Sequence, residues 1–115
     1  MQYMLLIHSS EAAMQSMPPD AVARMHAAYM AYTDSITQAG VMVNGNRLRP
    51  TSATTTVRLI DGKTQVLDGP YAETKEQLAG YYLIDVPDRD AALSWAARCP
   101  GASAGAIEVR PIWTM

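Results

Sequence analysis

Among 115 residues the sequence has no phenylalanine and a single cysteine, Cys99. One thiol cannot close an intrachain disulfide, and without a second there is no CxxC pair for a metal or a redox cycle. A reducing, cytoplasmic setting is therefore expected. Long apolar runs are missing as well: Tyr3-Met4-Leu5-Leu6-Ile7 has no basic flank and is far shorter than a membrane span or the core of a signal peptide. That pattern predicts a soluble, mature chain with no membrane partner. Nine basic against eleven acidic residues give a net charge of −2, and the cations are scattered, which argues against direct nucleic-acid binding. No cofactor or metal is expected either. The two histidines lie on separate elements, and there is no glycine-rich phosphate loop and no serine elbow.

Almost half of the chain, 49%, is apolar, enough for one core, and no repeat, linker or low-complexity stretch divides it, so residues 1–115 read as a single domain. Eight methionines suit an adaptable core. Residues 2–8 alternate with apolar side chains on both faces, the pattern of a covered strand. After a polar loop, Ser16-Met17-Pro18-Pro19-Asp20 supplies a cap, first-turn prolines and an acid at a helix start. A helix follows, with Val22, Met25, Tyr29, Tyr32 and Ile36 as its apolar stripe and Gly40 as its C-cap. Val41-Met42-Val43 is a short strand broken or bulged by Asn44-Gly45-Asn46. Residues 54–60 and 63–67 flank Asp61-Gly62, a type I′ hairpin signal. The hairpin is polar enough to predict the edge of the sheet or a subunit contact. Ala79 to Val86 is the next strand, Asp88 caps a helix running to about Cys99, and residues 106–112 form the last strand with Pro111 at an edge or exit.

This order, β-α-β, hairpin, β-α-β, is the α+β split βαβ, or ferredoxin-like βαββαβ, plan with an inserted β-hairpin. Right-handed crossovers put both helices on one face of the sheet. The strands carry apolar residues on both faces, so the uncovered face requires a partner, and a homodimer packed sheet against sheet supplies it.

The stretch DGPYAETKEQLAGYYLID, residues 68–85, resembles the signature of the YCII-related (YciI-like) proteins, in the subgroup named for its Asp-Gly-Pro-Phe motif, with Tyr71 in place of the usual Phe. The likeness extends over nearly the whole chain, including the ending Val109-Arg110-Pro111-Ile112-Trp113. It implies a dimeric α/β barrel. In YciI-like proteins outside the subgroup a His-Asp pair is the proposed active site, but alignment on Ala39-Gly40 puts Tyr29 and Gln38 at those positions. Relatives of the subgroup are associated with extracytoplasmic-function sigma factors, which implies a second possibility, a regulatory or interaction module near transcription initiation.

The acid–base candidates are Asp68 and His26. Asp68 stands at a forced turn, where its carboxylate would close an Asx turn or act as an acid or base. His26 sits about 80° from the centre of the helix stripe, where an imidazole could reach a cleft or remain half-buried without function. His8, at the end of the first strand, faces the same choice. Arg47 and Arg49 suit a small carboxylate or phosphate. Tyr71, Tyr81 and Tyr82 would serve as pocket walls or as core, and Glu73, Lys75 and Glu76 as a solvated cluster or a ligand clamp. The function expected is a dimeric small-molecule-binding or enzyme-like barrel, its cleft near the Asp-Gly-Pro turn, taking a small polar or aromatic ligand.

Overall fold

A computed structural model describes residues 1–114. In chain order its elements are β1 (Gln2–Ser9), α1 (Glu11–Gln15), α2 (Pro19–Gln38), β2 (Met42–Arg47), a 3-10 turn (Thr51–Ala53), β3 (Thr55–Ile60), β4 (Lys63–Asp68), β5 (Gln77–Asp85), α3 (Arg89–Arg98), α4 (Gly101–Ala104) and β6 (Ala106–Pro111). Four strands form one antiparallel sheet in the spatial order β2-β5-β1-β6. With the two long helices this is the ferredoxin-like α+β arrangement that the strand and helix order predicts.

The core follows from the alternation along β1. Tyr3, Leu5 and Ile7 point to one face and are buried against Tyr32 and Ile36 of α2, Ala92 and Ala96 of α3, and Tyr82 and Ile84 of β5. The alanines give α3 a flat side that fits close to the sheet. Tyr32 meets Tyr82 edge-on, with ring centres 5.3 Å apart. Its hydroxyl donates to the Trp95 carbonyl oxygen at 2.8 Å and so ties α2 to α3. Asp88 caps α3 as expected, accepting from the Ala91 amide at 2.9 Å. On the opposite face, Met4 and Leu6 stand beside Leu83 and Tyr81 by register and remain half-buried, since both long helices pack on the inner face.

Several local expectations give way. The polar loop after β1 contains α1, because the Ser10 hydroxyl accepts from the Ala13 amide at 3.1 Å and starts a helical turn. Ser16 then closes α1 instead of capping α2, which starts at Pro19 with no side-chain cap. In β2 the expected irregularity is a bulge after Met42 and not a break, since the strand continues to Arg47. Pro100-Gly101 ends α3 and opens the short α4.

The larger departure is the hairpin. β3 and β4 pair only with each other, so they form a separate two-stranded sheet and do not lie at the edge of the main one. The turn itself is as predicted: Asp61 and Gly62 take φ of 50° and 75°, the left-handed pair of a type I′ turn. The molecule is a slab of 47 × 45 × 18 Å. Its radius of gyration is 16.1 Å, against about 13 Å for a compact chain of this length.

Candidate functional site

At the His8 end of the sheet, β1, β5 and the connections on either side of the hairpin enclose a cleft of about 660 Å³ whose walls include His8, Arg49, Thr51, Tyr71, Glu76 and Gln77. A smaller hollow of about 330 Å³, which contains Arg47 and Glu11, adjoins it through the shared residues Leu48, Arg49 and Pro50. Hydrogen bonds between distant segments fix the base of both. The Glu11 carboxylate accepts from the Thr51 amide and hydroxyl, each at 2.7 Å, and the Glu11 amide donates to the Gln77 side-chain oxygen at 2.9 Å. A helical turn, the 3-10 turn and the start of β5 are thereby held together. Neither Arg47 nor Arg49 joins an ion pair among the described residues, so both guanidinium groups are left to an anionic ligand, while Glu76 in the larger cleft and Glu11 in the smaller hollow bring negative charge to the same walls.

His8 is positioned by its neighbours across β6. A register shift after Ile7 sets its place in the strand. His8 Nε2 lies 3.2 Å from Glu108 Oε1, and Glu108 Oε2 accepts from Arg110 Nη2 at 2.6 Å. When Nε2 carries the hydrogen and donates it to the carboxylate, Nδ1 is left as an acceptor. A histidine oriented by a carboxylate, in the wall of a cleft that also holds a free guanidinium and an aromatic ring, can bind an anion and exchange a proton with it. Glu108 is absent from the candidates read in the sequence. It lies a hundred residues from His8, and only the pairing of β1 with β6 brings the two together.

Of the residues singled out in the sequence, His8 and Tyr71 share the larger cleft and Arg47 lines the smaller one. Tyr71 is 78% exposed, and the Arg58 guanidinium stacks over its ring at 5.0 Å. Tyr82 belongs to the helix side of the sheet, where its hydroxyl shares a hydrogen with Thr33 Oγ1 at 2.8 Å. Tyr81 faces the open side and accepts from Asn46 Nδ2 at 2.9 Å. Asp68 ends β4, and His26 lies on the exposed face of α2. No hydrogen bond or ion pair joins these two, and neither lines the cleft. An Asx turn does not form at Asp68 either, because the residue two positions on is Pro70, which has no N–H, and the Gly69 amide donates instead to the Thr54 carbonyl at 2.7 Å.

Burial is the main cause of the perturbed ionisations, and all of them lie in the core. It pushes Tyr29, Tyr32 and Tyr82 above the ordinary tyrosine range, the last opposed by the hydrogen bond from Thr33. It also pushes up the Cys99 thiol, against the opposing pull of hydrogen bonds from the Gly101 backbone and Tyr29. Tyr29, half-buried against the core, and the Cys99 thiol beside it therefore hold their protons more tightly than exposed groups would. Among the described residues no group of three His, Cys, Asp or Glu side chains could hold a metal ion, and no helix is long and apolar enough to cross a membrane.

The family model of the YCII-related domain matches residues 1–115. The chain is also similar to uncharacterized protein R00369 of Rhizobium meliloti (strain 1021), being 39% identical over 114 residues that cover 97% of this chain and 92% of that protein.

Proposed function

The chain belongs to the YCII-related domain family, and from that premise we propose that it works as a homodimer, sheet face against sheet face, binding a small aromatic or polar anion in the cleft beside the Asp68-Gly69-Pro70 turn. Arg49, with Arg47 behind it, takes the carboxylate or phosphate, and Tyr71 offers a ring face to the ligand. His8 exchanges a proton with the bound molecule, and Glu108 is its positioning residue. Asp68 and His26, the acid–base pair suggested by the sequence, rank behind His8 because neither touches the cleft. The observation that carries this reading is the 3.2 Å contact between Glu108 and His8, which stands in the wall of a cleft together with Arg49, an arginine without an ion pair among the described residues. The single buried thiol of Cys99 fits a reducing cytoplasm.

The test is a calorimetric titration with benzoate, salicylate and inorganic phosphate, on wild type, Arg49→Ala and His8→Ala. An aromatic acid should bind wild type and lose about tenfold in affinity with Arg49→Ala, the worth of one charge-assisted contact. If none of the three binds, or if both variants bind like wild type, the reading fails.

One feature favours a second reading, the interaction module associated with extracytoplasmic-function sigma factors: Asp68 and His26 face solvent, and the hairpin is exposed. On that reading the purified protein binds such a sigma factor and none of the three acids.

A further inference from the structure

The β3–β4 hairpin is the part of the molecule that its own subunit leaves uncovered. A lone two-stranded ribbon is marginal in water unless something packs on it. Register sets Val57 opposite Val66 and Leu59 opposite Thr64, so Val57, Leu59 and Val66 share one face, and they are 62%, 71% and 61% exposed. The only charge on that face is Asp68 at the base, whereas Arg58 and Lys63 point the other way.

The missing cover can be sized. A monomeric protein of 12.5 kDa exposes about 6,200 Å². This subunit exposes 8107 Å², an excess of about 1,900 Å². Obligate dimers remove about 1,000–2,500 Å² from each partner. The excess matches in size one subunit's share of such an interface, and the open sheet face and the hairpin are apolar surfaces that could supply it.

We infer that the hairpin is a dimerisation arm whose Val57, Leu59 and Val66 face docks on a second copy of this chain. This rests on the homodimer reading and extends it to the cleft. The arm leads directly into the cleft wall: the Gly69 amide donates to Thr54 O and the Thr56 hydroxyl to Gly69 O, both at 2.7 Å, and Arg58 stacks on Tyr71. An arm fixed by the partner therefore fixes Tyr71, so ligand binding and dimerisation assist one another.

Two measurements test it. The first is sedimentation velocity over a dilution series on wild type, Leu59→Asp and, on the sheet face, Leu6→Asp. Leu59→Asp should weaken the dimer by about 30-fold or more, the scale of a hot-spot residue, with an unchanged circular dichroism spectrum because the arm lies outside the core. The second is an isotope-filtered NOE spectrum of a mixed-label wild-type dimer, expected to show intersubunit contacts from the Val57, Leu59 and Val66 methyls. A dimer that lacks those contacts and tolerates Leu59→Asp overturns the arm and leaves the sheet-face dimer standing. A wild-type monomer at every concentration overturns both.

Discussion

Replacing Tyr82 with Phe removes one hydroxyl from the inner face of the sheet and leaves the ring in place. The ring keeps its edge contact with Tyr32 and its burial at 8% exposure, so the change isolates the 2.8 Å hydrogen bond to Thr33. A hydrogen bond of this kind contributes about 1 kcal/mol net. Thr33 lies in a helix, where its freed hydroxyl can turn back to a carbonyl one turn earlier, so the loss stays near that figure and does not approach the penalty of an orphaned polar atom. For a chain of this size, 1 kcal/mol corresponds to a fall in Tm of about 4 °C. The assay is thermal and urea unfolding at one fixed protein concentration, paired with a benzoate titration. The expected outcome is lower stability, an unchanged urea m-value and unchanged affinity, because Tyr82 faces the helices and not the cleft. A variant of full stability that no longer binds benzoate would place the hydroxyl on the ligand and refute this geometry.

Ile84 is completely buried, so Ile84→Ala should destabilise by about 2–5 kcal/mol in urea unfolding, a large part of the total for one domain. Cys99, Tyr29, Tyr32 and Tyr82 all hold their protons more tightly when folded than in the open chain. The stability they contribute is complete below the unfolded values, 9.0 for the thiol and 10.0 for the tyrosines, and is lost as pH rises above them. The urea midpoint should therefore hold steady up to about pH 8.5 and then drop, and a midpoint that rises there contradicts the assignment. Asp68→Asn and His26→Ala, both at exposed positions whose side chains make no hydrogen bonds among the described residues, should each change stability by less than about 0.5 kcal/mol and leave benzoate affinity alone. A loss of affinity in either would return that residue to the site.

The features legible in the sequence are those set by local rules. The alternation of Tyr3, Leu5 and Ile7, the stripe ending in Tyr32 and Ile36, the Asp88 cap and the Asp61-Gly62 turn each depend on a few consecutive residues. Five-residue α1 is too short to show a period, and Ser10, its one signal, also suits a loop. Asn44-Gly45-Asn46 read as a break or a bulge because glycine is a poor strand former, and the bulge forms. Yet Gly45 lies within β2 since the Tyr82 ring fills the space of a side chain, 2.7 Å from where a Cβ would stand. That contact exists only once β2 has paired with β5. The site divides in the same way. His8 and Tyr71 were readable as residues suited to a pocket, whereas Glu108 acquires its place only from the register between β1 and β6. The detachment of the hairpin from the main sheet is likewise a tertiary choice, which its mixture of polar and apolar residues leaves open.

Sedimentation equilibrium on the wild-type chain, from low to high micromolar concentration, bears most directly on the argument that the open sheet face and the hairpin meet a second copy. The account predicts a mass of twice 12.5 kDa that persists on dilution. A mass of 12.5 kDa throughout, with the hairpin and Met4, Leu6 and Leu83 left in water, would contradict it.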